Sequence, residues 1–215
     1  MIREMKIFPA IDIKDKKCVR LIKGNFDNKT EYETSTVDQA GKYKDHGFKN
    51  LHIVDLDGAL SGKIVNLDII QEIVRKYDLK IEIGGGIRTI DSIKKYVNAG
   101  VEKVILGSAA IKNKEFLKEA CINFKGQIAL GLDAKDGNLS VSGWKENLNI
   151  KTLDFLNEVN NYGVSRIIYT DINRDGMKTS PNFEETAKIA ELSNCPVVIS
   201  GGVSSINDIK KAKEL

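Results

Sequence analysis

A glycine-rich segment occurs twice in this chain at a fixed separation. Residues 83–88 read Ile-Gly-Gly-Gly-Ile-Arg, and residues 199–204, which lie 116 positions later (199 − 83), read Ile-Ser-Gly-Gly-Val-Ser. Each copy continues into an Ile-Lys-Lys triplet at the same spacing. An apolar run, a glycine turn and a helical pattern in succession are typical of a strand that delivers backbone N–H groups to a helix start, where an anion binds. The chain is therefore predicted to consist of two copies of one half-domain. Each copy has one anion-binding turn, called a cradle below, and two cradles favour a ligand with two phosphates.

Short apolar segments alternate with helical segments along the rest of the chain. Strands are predicted near residues 6–12, 51–55, 80–84, 103–107, 127–132, 166–170 and 196–200. Helices are predicted near residues 36–46, 67–77, 89–99, 113–124, 150–161, 183–193 and 204–214. A regular order of strand then helix implies parallel pairing, as in a barrel or a doubly wound sheet. The fold class is therefore α/β.

The repeat decides between these two architectures. The same shift of 116 aligns Asp55 with Asp171 and Asn66 with Asn182. Two copies of four βα units make eight, the number that closes a TIM (β/α)8 barrel. We therefore expect one barrel domain over residues 1–215, built from two half-barrel repeats. Its eighth βα unit would begin at position 217, so that unit is expected to be missing from a shortened form of a longer natural protein.

Composition and charge exclude several classes of function. The 33 basic and 30 acidic residues give a net charge of +3 without a long basic tract, so nucleic acid binding is not implied. Residues 1–6 lack the apolar core of a signal peptide, and no run approaches the ~18 apolar residues of a membrane span, so we expect a cytoplasmic protein. The three cysteines are far apart, without the spacing of metal ligands, and are interpreted as reduced thiols.

Two aspartates at predicted strand ends are the candidate acid and base. Asp12 ends the first strand and Asp133 ends the fifth, the matching position of the second half. Barrel enzymes carry their chemistry where strands end, and two acids in one pocket can hold different pKa values. Either aspartate alone could simply cap the following loop. Thr170 and Asp175, at the end of the sixth strand, are candidates to contact sugar hydroxyls or orient an acid, although Asp-Gly at 175–176 is also an ordinary turn signal.

The remaining candidates are groups that bind phosphate or a planar ring. Arg88 adds positive charge beside the first cradle, and Arg20 follows Asp12. Trp144, the only tryptophan, lies in a long polar loop where it either covers the barrel rim or stacks on a planar ring. His46 and His52 are interpreted as structural. The candidate phosphate ligands are Gly85, Gly86, Gly107, Ser108, Gly201 and Gly202, although glycine also serves tight turns that need positive φ.

Taken in order, a set of motifs resembles the ProFAR isomerase family of histidine biosynthesis. The motifs are Phe8-Pro9-Ala10-Ile11-Asp12, Val19-Arg20-Leu21, Asp55-Leu56-Asp57-Gly58-Ala59, Gly84-Gly85-Gly86-Ile87-Arg88, Leu106-Gly107-Ser108-Ala109-Ala110, Gly143-Trp144, Thr170-Asp171-Ile172-Asn173-Arg174-Asp175-Gly176 and Ser200-Gly201-Gly202. The resemblance implies an Amadori rearrangement, in which the aminoaldose ProFAR becomes the aminoketose PRFAR. It also implies a small-molecule substrate with a phosphate at each end and no cofactor. Two acid/base groups suffice for such a reaction, so we expect no metal, and we expect a monomer.

The resemblance also implies a role for each candidate. Asp12 would be the general base at the sugar C2 proton, and Asp133 the general acid that opens the ribose ring. Thr170 and Asp175 would assist Asp133 and orient the sugar, and Trp144 would stack on the aminoimidazole carboxamide. The substrate would be bound and positioned by Arg20 and Arg88. Its phosphates would be held by Gly85, Gly86, Gly107, Ser108, Gly201 and Gly202.

Three alternatives stay open. The cyclase subunit of imidazole glycerol phosphate synthase shares the repeat and both aspartates, but it usually has lysine where Arg20 stands, lacks the Gly143-Trp144 signature and needs a glutaminase partner. A second activity, isomerisation of phosphoribosylanthranilate, is chemically analogous. Because the eighth unit is expected to be missing, the chain could also be a phosphometabolite-binding fragment without catalysis.

Overall fold

Helices and strands alternate along the chain. The computed structural model describes residues 5–22 and 24–215, with the backbone alone for residues 22 and 25–28, so residues 1–4 of the N-terminal segment lie outside the described residues. The strands are β1 Ala10–Lys14, β2 Lys17–Ile22, β3 Asn25–Ser35, β4 Asn50–Asp55, β5 Lys80–Gly84, β6 Lys103–Leu106, β7 Ile128–Lys135, β8 Asn138–Val141, β9 Glu146–Lys151, β10 Arg166–Asp171 and β11 Val197–Ser200. The helices are α1 Thr36–Asp45, α2 Leu56–Ser61, α3 Leu67–Lys76, α4 Ile90–Asn98, α5 Ser108–Lys112, α6 Lys114–Asn123, α7 Thr152–Val159, α8 Phe183–Leu192 and α9 Ile206–Ala212.

The α/β class predicted from the sequence is confirmed. Each of the seven predicted strands and seven predicted helices has a counterpart, although β1 begins at Ala10 instead of residue 6. The prediction of a long polar loop after the fifth strand is wrong, because β8 and β9 form an antiparallel pair there. Polar and apolar residues do alternate in both strands, as in Asn138-Leu139-Ser140-Val141, but the runs are short and five of the six residues of β9 are exposed. Two short helices, α2 and α5, were also not predicted.

Contacts between backbone positions divide the chain into two compact units. The first comprises the N-terminal segment up to Arg20 together with residues 29–104, and the second comprises residues 21–28 and 105–215. In the first unit, β1 pairs in parallel with β4, β4 with β5, and β5 with β6, while β2 runs antiparallel to β1. In the second unit, β7 pairs in parallel with β10 and β10 with β11, while β8 runs antiparallel to β7.

The two units repeat the same side-chain hydrogen bonds. Asp55 ends β4 and accepts from Asn66 Nδ2 at 2.7 Å, and Asp171 ends β10 and accepts from Asn182 Nδ2 at 2.8 Å. Each pair joins a strand end to the start of the next long helix. The repeat in the sequence is therefore also a repeat in structure.

The helices that follow the glycine turns begin in the same way in both units. Thr89 caps α4 by accepting from the Ser92 N–H at 3.1 Å, and Ser205 caps α9 by accepting from the Asp208 N–H at 3.3 Å. Such caps satisfy N–H groups that have no partner within the helix. The caps lie 116 positions apart (205 − 89), like the glycines before them.

The core of each unit lies along its parallel strands. All six residues of β10 are buried, as are the last four of β5. Burial of an isoleucine or leucine side chain contributes about 1.5–3 kcal/mol, so these strands supply much of the stabilisation. Among the described helices, none has the length and apolar character needed to cross a membrane.

Candidate active site

Asp12 and Asp133 occupy the same register position in the two units. Asp12 of β1 lies opposite Val54 of β4, and Asp133 of β7 lies opposite Thr170 of β10. The residues opposite them are 116 positions apart (170 − 54), which is the shift of the sequence repeat. The sequence predicted that both aspartates end their strands, and this is wrong. Each lies two residues before the end, because both strands continue into an antiparallel hairpin.

Asp12 faces away from the apolar core of its own strand. Its neighbours Ile11 and Ile13 are fully buried, and successive side chains of a strand point to opposite faces. The nearest guanidinium nitrogen of Arg20, on the neighbouring strand β2, lies 4.0 Å from Asp12 Oδ2. The Asp12 side chain is 14% exposed, so a small ligand can reach a carboxylate that already has a cation beside it.

Asp133 is held by the tryptophan. Trp144 lies in the tight turn between β8 and β9, with a φ of 67°, and its Nε1 donates to Asp133 Oδ2 at 2.8 Å. Its ring also lies over Gly24, where an added Cβ would come within 2.4 Å of the ring. Trp144, expected in a long polar loop, therefore lies in the turn of the β8–β9 hairpin, where it contacts the candidate acid.

Ser108 anchors the turn that carries Trp144. Its Oγ accepts from the Ser142 N–H at 2.8 Å, and Lys112 of the same helix forms an ion pair with Glu146 at 2.6 Å. A serine hydroxyl that accepts one hydrogen bond can still donate its own hydrogen to a ligand. Gly107 precedes this helix and has open space around it, since the nearest atom to an added Cβ, the Gly131 oxygen, is 3.9 Å away.

Thr170 and Asp175 lie at the end of β10 and in the following turn. Thr170 is buried opposite Asp133, which brings these two candidates together. The Asp175 N–H donates to the Asp171 oxygen at 3.1 Å. Asp171 itself accepts from the Asn173 N–H at 3.0 Å, so its side chain helps to turn the chain.

Gly85 and Gly86 lie where the turn after β5 passes very close to the chain after β4. A Cβ at Gly86 would lie 1.8 Å from the Gly58 oxygen, and one at Gly85 would lie 2.1 Å from the Asp55 oxygen. Gly86 also has a φ of 70°, which side chains rarely adopt. Any larger residue would have to separate the two segments, so close approach of the backbone is one clear reason for these glycines.

Arg88 follows this turn and folds over the end of α2. Its Nη2 donates to the Ala59 oxygen at 3.3 Å, and a Cβ at Gly62 would lie 2.4 Å from its Nη1. The side chain is otherwise exposed, so most of its donors remain accessible to an anion.

Gly201 and Gly202 repeat this arrangement in the second unit. A Cβ at Gly201 would lie 2.7 Å from the Asp171 oxygen, and one at Gly202 would lie 2.6 Å from the Ser180 oxygen. The φ of Gly202 is 87°. Both glycine turns therefore approach the preceding βα segment of their own unit.

Sequence reasoning missed a pair of residues beside the second turn. Asp208 accepts from the Ser180 hydroxyl at 2.6 Å and from the Ser204 N–H at 2.8 Å. These donors hold the pKa of the Asp208 carboxyl well below its usual range. The available signal was a departure from the repeat, because Ile64 and Ser92 stand at the corresponding positions of the first unit.

The cysteines and histidines lie in structural surroundings. Burial raises the pKa of Cys121 to about 11 and also raises the pKa of Cys18, so neither thiol is primed as a nucleophile. His46 caps the end of α1, and its Nδ1 lies 2.6 Å from the Lys42 oxygen. The Nδ1 of His52 lies 2.7 Å from the carboxylate of buried Glu82. These contacts agree with the structural interpretation of both histidines.

With this geometry in place, comparison with known proteins identifies the family. The sequence profile of the family described as "Histidine biosynthesis protein" matches residues 6–215. The chain belongs to this histidine biosynthesis protein family. The resemblance drawn from the motifs is thereby confirmed.

Relatives within the histidine biosynthesis family are similar over almost the whole chain. A protein from Pelagibacter ubique (strain HTCC1062) is 82% identical over 211 residues, which cover 98% of this chain and 88% of that protein. One from Clostridium novyi (strain NT) is 47% identical over the same shares, and one from Marinobacter nauticus (strain ATCC 700491 / DSM 11845 / VT8) is 48% identical over 96% of this chain and 85% of that protein. All three are named 1-(5-phosphoribosyl)-5-((5-phosphoribosylamino)methylideneamino) imidazole-4-carboxamide isomerase.

Proposed function

We propose that this chain is an isomerase of histidine biosynthesis that converts ProFAR into PRFAR. The name shared by the relatives specifies an imidazole carboxamide with two 5-phosphoribosyl groups, and so a substrate with two phosphates. Two glycine turns of matching structure agree with such a substrate. The relatives' name and the Gly143-Trp144 signature favour the isomerase over the cyclase.

The reaction needs one proton given to oxygen and one taken from carbon. Asp133 gives a proton to the ribose ring oxygen, the C1–O bond breaks, and the nitrogen lone pair forms a C1=N bond. Asp12 then takes the C2 proton, the electron pair of that C–H bond forms the C1=C2 bond, and the π pair of the C1=N bond returns to nitrogen as its lone pair. The resulting enolamine becomes the ketone when its C2 hydroxyl loses a proton and C1 gains one. Two carboxyl groups acting as general acid and general base are sufficient for these steps, so no cofactor is required.

The equal register of Asp12 and Asp133 is the observation that carries this proposal. Each aspartate occupies the same position of its repeat, opposite residues 116 positions apart, and each contacts a different side chain. Asp12 has the Arg20 cation beside it, and Asp133 accepts from a neutral indole. Different surroundings allow two chemically identical groups to take opposite roles in one reaction.

The other candidates bind and orient the substrate. Trp144 stacks on the aminoimidazole carboxamide, while Thr170 and Asp175 assist Asp133 and orient the sugar. Arg20 and Arg88 position the substrate, and its phosphates bind at Gly85, Gly86, Gly107, Ser108, Gly201 and Gly202. The open donors of Arg88 and the remaining hydroxyl hydrogen of Ser108 support these assignments.

The fold and setting proposed for the chain follow from the family. The βα units belong to one (β/α)8 barrel domain built from two half-barrel repeats, which the paired hydrogen bonds of Asp55 and Asp171 support. The protein is a cytoplasmic monomer whose partner is its small-molecule substrate. It requires neither nucleic acid nor a membrane.

Substitution of each aspartate by asparagine tests the assignment. Asparagine keeps the shape of the side chain and removes proton transfer, so Asp12→Asn and Asp133→Asn should each lower kcat for ProFAR by at least ~100-fold. Conversion of ProFAR to PRFAR is measured by separating the two compounds. Asp15→Asn, which changes an aspartate whose side chain is 65% exposed, is the matched control and should keep its activity. Near-normal turnover in either of the first two variants contradicts the assigned role.

A further inference from the structure

The two halves of the chain differ at a pair of positions that contact each other. Ile64 and Ser92 in the first unit correspond to Ser180 and Asp208 in the second, 116 positions later. The Ser180 hydroxyl donates to Asp208 Oδ1 at 2.6 Å. A hydrogen-bonded pair is therefore present in one half only, although the Asp–Asn bonds at the strand ends and the Thr89 and Ser205 caps occur in both halves.

Asp208 connects two loops through its two carboxylate oxygens. Its Oδ2 accepts from the Ser204 N–H and hydroxyl at 2.8 Å each and from the Ser205 N–H at 3.0 Å. Its Oδ1 accepts from Ser180, in the loop that follows β10. The side chain is 7% exposed, so water competes little for these bonds. One oxygen thus holds the glycine turn, and the other holds the loop that contains Asp175.

The same two loops also touch through their backbones. A Cβ at Gly202 would lie 2.6 Å from the Ser180 oxygen and 3.0 Å from the Arg174 Cβ. Arg174 Nη1 donates to the same Ser180 oxygen at 2.9 Å, which closes the loop around Asp175. Movement of the glycine turn would therefore be transmitted to the residues on both sides of Asp175.

The first unit has no need of such a connection. Its corresponding segment forms the helix α2, Leu56–Ser61, capped by Asp55, which accepts from the Gly58 N–H at 2.9 Å. Residues 172–177 of the second unit form successive turns instead of a helix. Backbone bonds such as that from the Asp175 N–H to the Asp171 oxygen close only single turns of this loop, so the side-chain bonds of Ser180 and Arg174 also fix its conformation.

We propose that Ser180 and Asp208 are positioning residues, which couple a phosphate bound at Gly201 and Gly202 to the orientation of Asp175. This inference rests on the proposed function. A phosphate bound at the glycine turn fixes the backbone at Ser204 and Ser205, which hydrogen-bonds Asp208. Asp208 then fixes Ser180 through its other oxygen. The loop that contains Ser180 therefore holds Asp175 in one conformation. Binding energy from the non-reacting phosphate is thereby used to orient a group at the reacting sugar. Asp208 is charged at neutral pH, and hydrogen bonds to a charged acceptor are stronger than those to a neutral one; the lowered pKa of Asp208 reflects these bonds.

Kinetics of one variant and its matched control test this coupling. Ser180→Ala removes the hydroxyl but keeps the Cβ, so the backbone at its φ of 72° is equally accommodated. We expect kcat for ProFAR to fall about tenfold, with KM and melting temperature little changed. The control, Thr89→Ala, removes the equivalent side-chain cap of α4 in the first unit and leaves the Ser180–Asp208 bond unchanged. It should lower the melting temperature and leave kcat within about twofold of the unchanged protein.

Three kinetic results separate the possible failures. If the unchanged protein does not convert ProFAR, the proposed function fails. If it does so and Ser180→Ala keeps the full kcat, only the coupling is overturned. If both variants lose kcat in proportion to their melting temperatures, the two residues serve stability alone and the coupling is again overturned.

Amide hydrogen exchange with inorganic phosphate gives a second readout that does not depend on turnover. In the unchanged protein, phosphate should slow exchange in residues 200–206 and also in residues 172–180. In Ser180→Ala it should protect residues 200–206 alone. Protection confined to residues 200–206 in the unchanged protein, or no protection at either segment, overturns the proposal.

Discussion

Trp144 contacts its surroundings through two different parts of its side chain. The indole N–H donates to Asp133, while the ring lies against Gly24. Stacking on the substrate uses the ring face and needs no N–H. An aromatic pair contributes about 0.5–1.5 kcal/mol beyond buried area, so loss of the ring should be visible as weaker binding.

Two substitutions of Trp144 separate these contributions. Trp144→Ala removes both, and we expect it to raise KM for ProFAR about tenfold. Trp144→Phe keeps a ring and should stay within about threefold of the original KM. Steady-state kinetics of both variants provide the measurement. If phenylalanine is as harmful as alanine, the N–H is the important group and the stacking role is wrong.

At the scale of elements, α9 depends on a charged side chain inside its first turn. Asp208 accepts hydrogen bonds from Ser180, Ser204 and Ser205, which lower its pKa in the folded protein. A carboxyl group with a lower pKa when folded stabilises the protein above its unfolded pKa of about 3.9. That contribution is lost as the pH falls below this value towards the lowered pKa.

Acid unfolding of an Asp208 variant tests this dependence. Asp208→Ser installs the residue found at the equivalent position of the first unit, Ser92. Its free energy of unfolding should fall less steeply between pH 5 and 2 than that of the unchanged protein, because fewer protons are taken up on unfolding. Urea unfolding at several pH values provides the measurement. Asp91→Asn, in the exposed first turn of α4, is the control and should not flatten the curve. Equal slopes for Asp208→Ser and the unchanged protein would contradict the account.

Elements set by local pattern could be predicted, and those set by contact could not. The repeat located Asp55 and Asn66 with their counterparts, because the same hydrogen bond recurs in both units. The β8–β9 pair was not predicted although polar and apolar residues alternate in both strands, because these runs of four to six residues contain only two apolar residues each. The helix α2 was also not predicted, because six residues are too short for a helical period to show. It forms where Asp55 caps its first turn.

For the candidate site too, residues marked by a local pattern could be predicted from the sequence, and contacts that form only on folding could not. Asp12 and Asp133 were located from strand patterns and the family resemblance, and their equal register agrees with that choice. Trp144 was selected as a loop residue, but its bond to Asp133 depends on the hairpin turn. Ser180 and Asp208 lie 28 positions apart, and only the folded chain brings them together.

At the scale of the whole molecule, one chain with two matching halves carries out one isomerisation. The roles proposed for Asp12 and Asp133 require activity towards ProFAR to depend on both halves together. An isomerase consumes ProFAR, whereas the cyclase consumes PRFAR with ammonia, so the compound that the protein consumes distinguishes the two activities.

Incubation of the purified protein with ProFAR, in parallel with PRFAR plus ammonia, is the most direct test. We predict that ProFAR is converted to PRFAR without added metal or cofactor, that PRFAR with ammonia gives no cyclised product, and that Asp12→Asn and Asp133→Asn abolish the conversion. Consumption of PRFAR with ammonia while ProFAR is left unchanged, or binding of ProFAR without any conversion, would contradict the account.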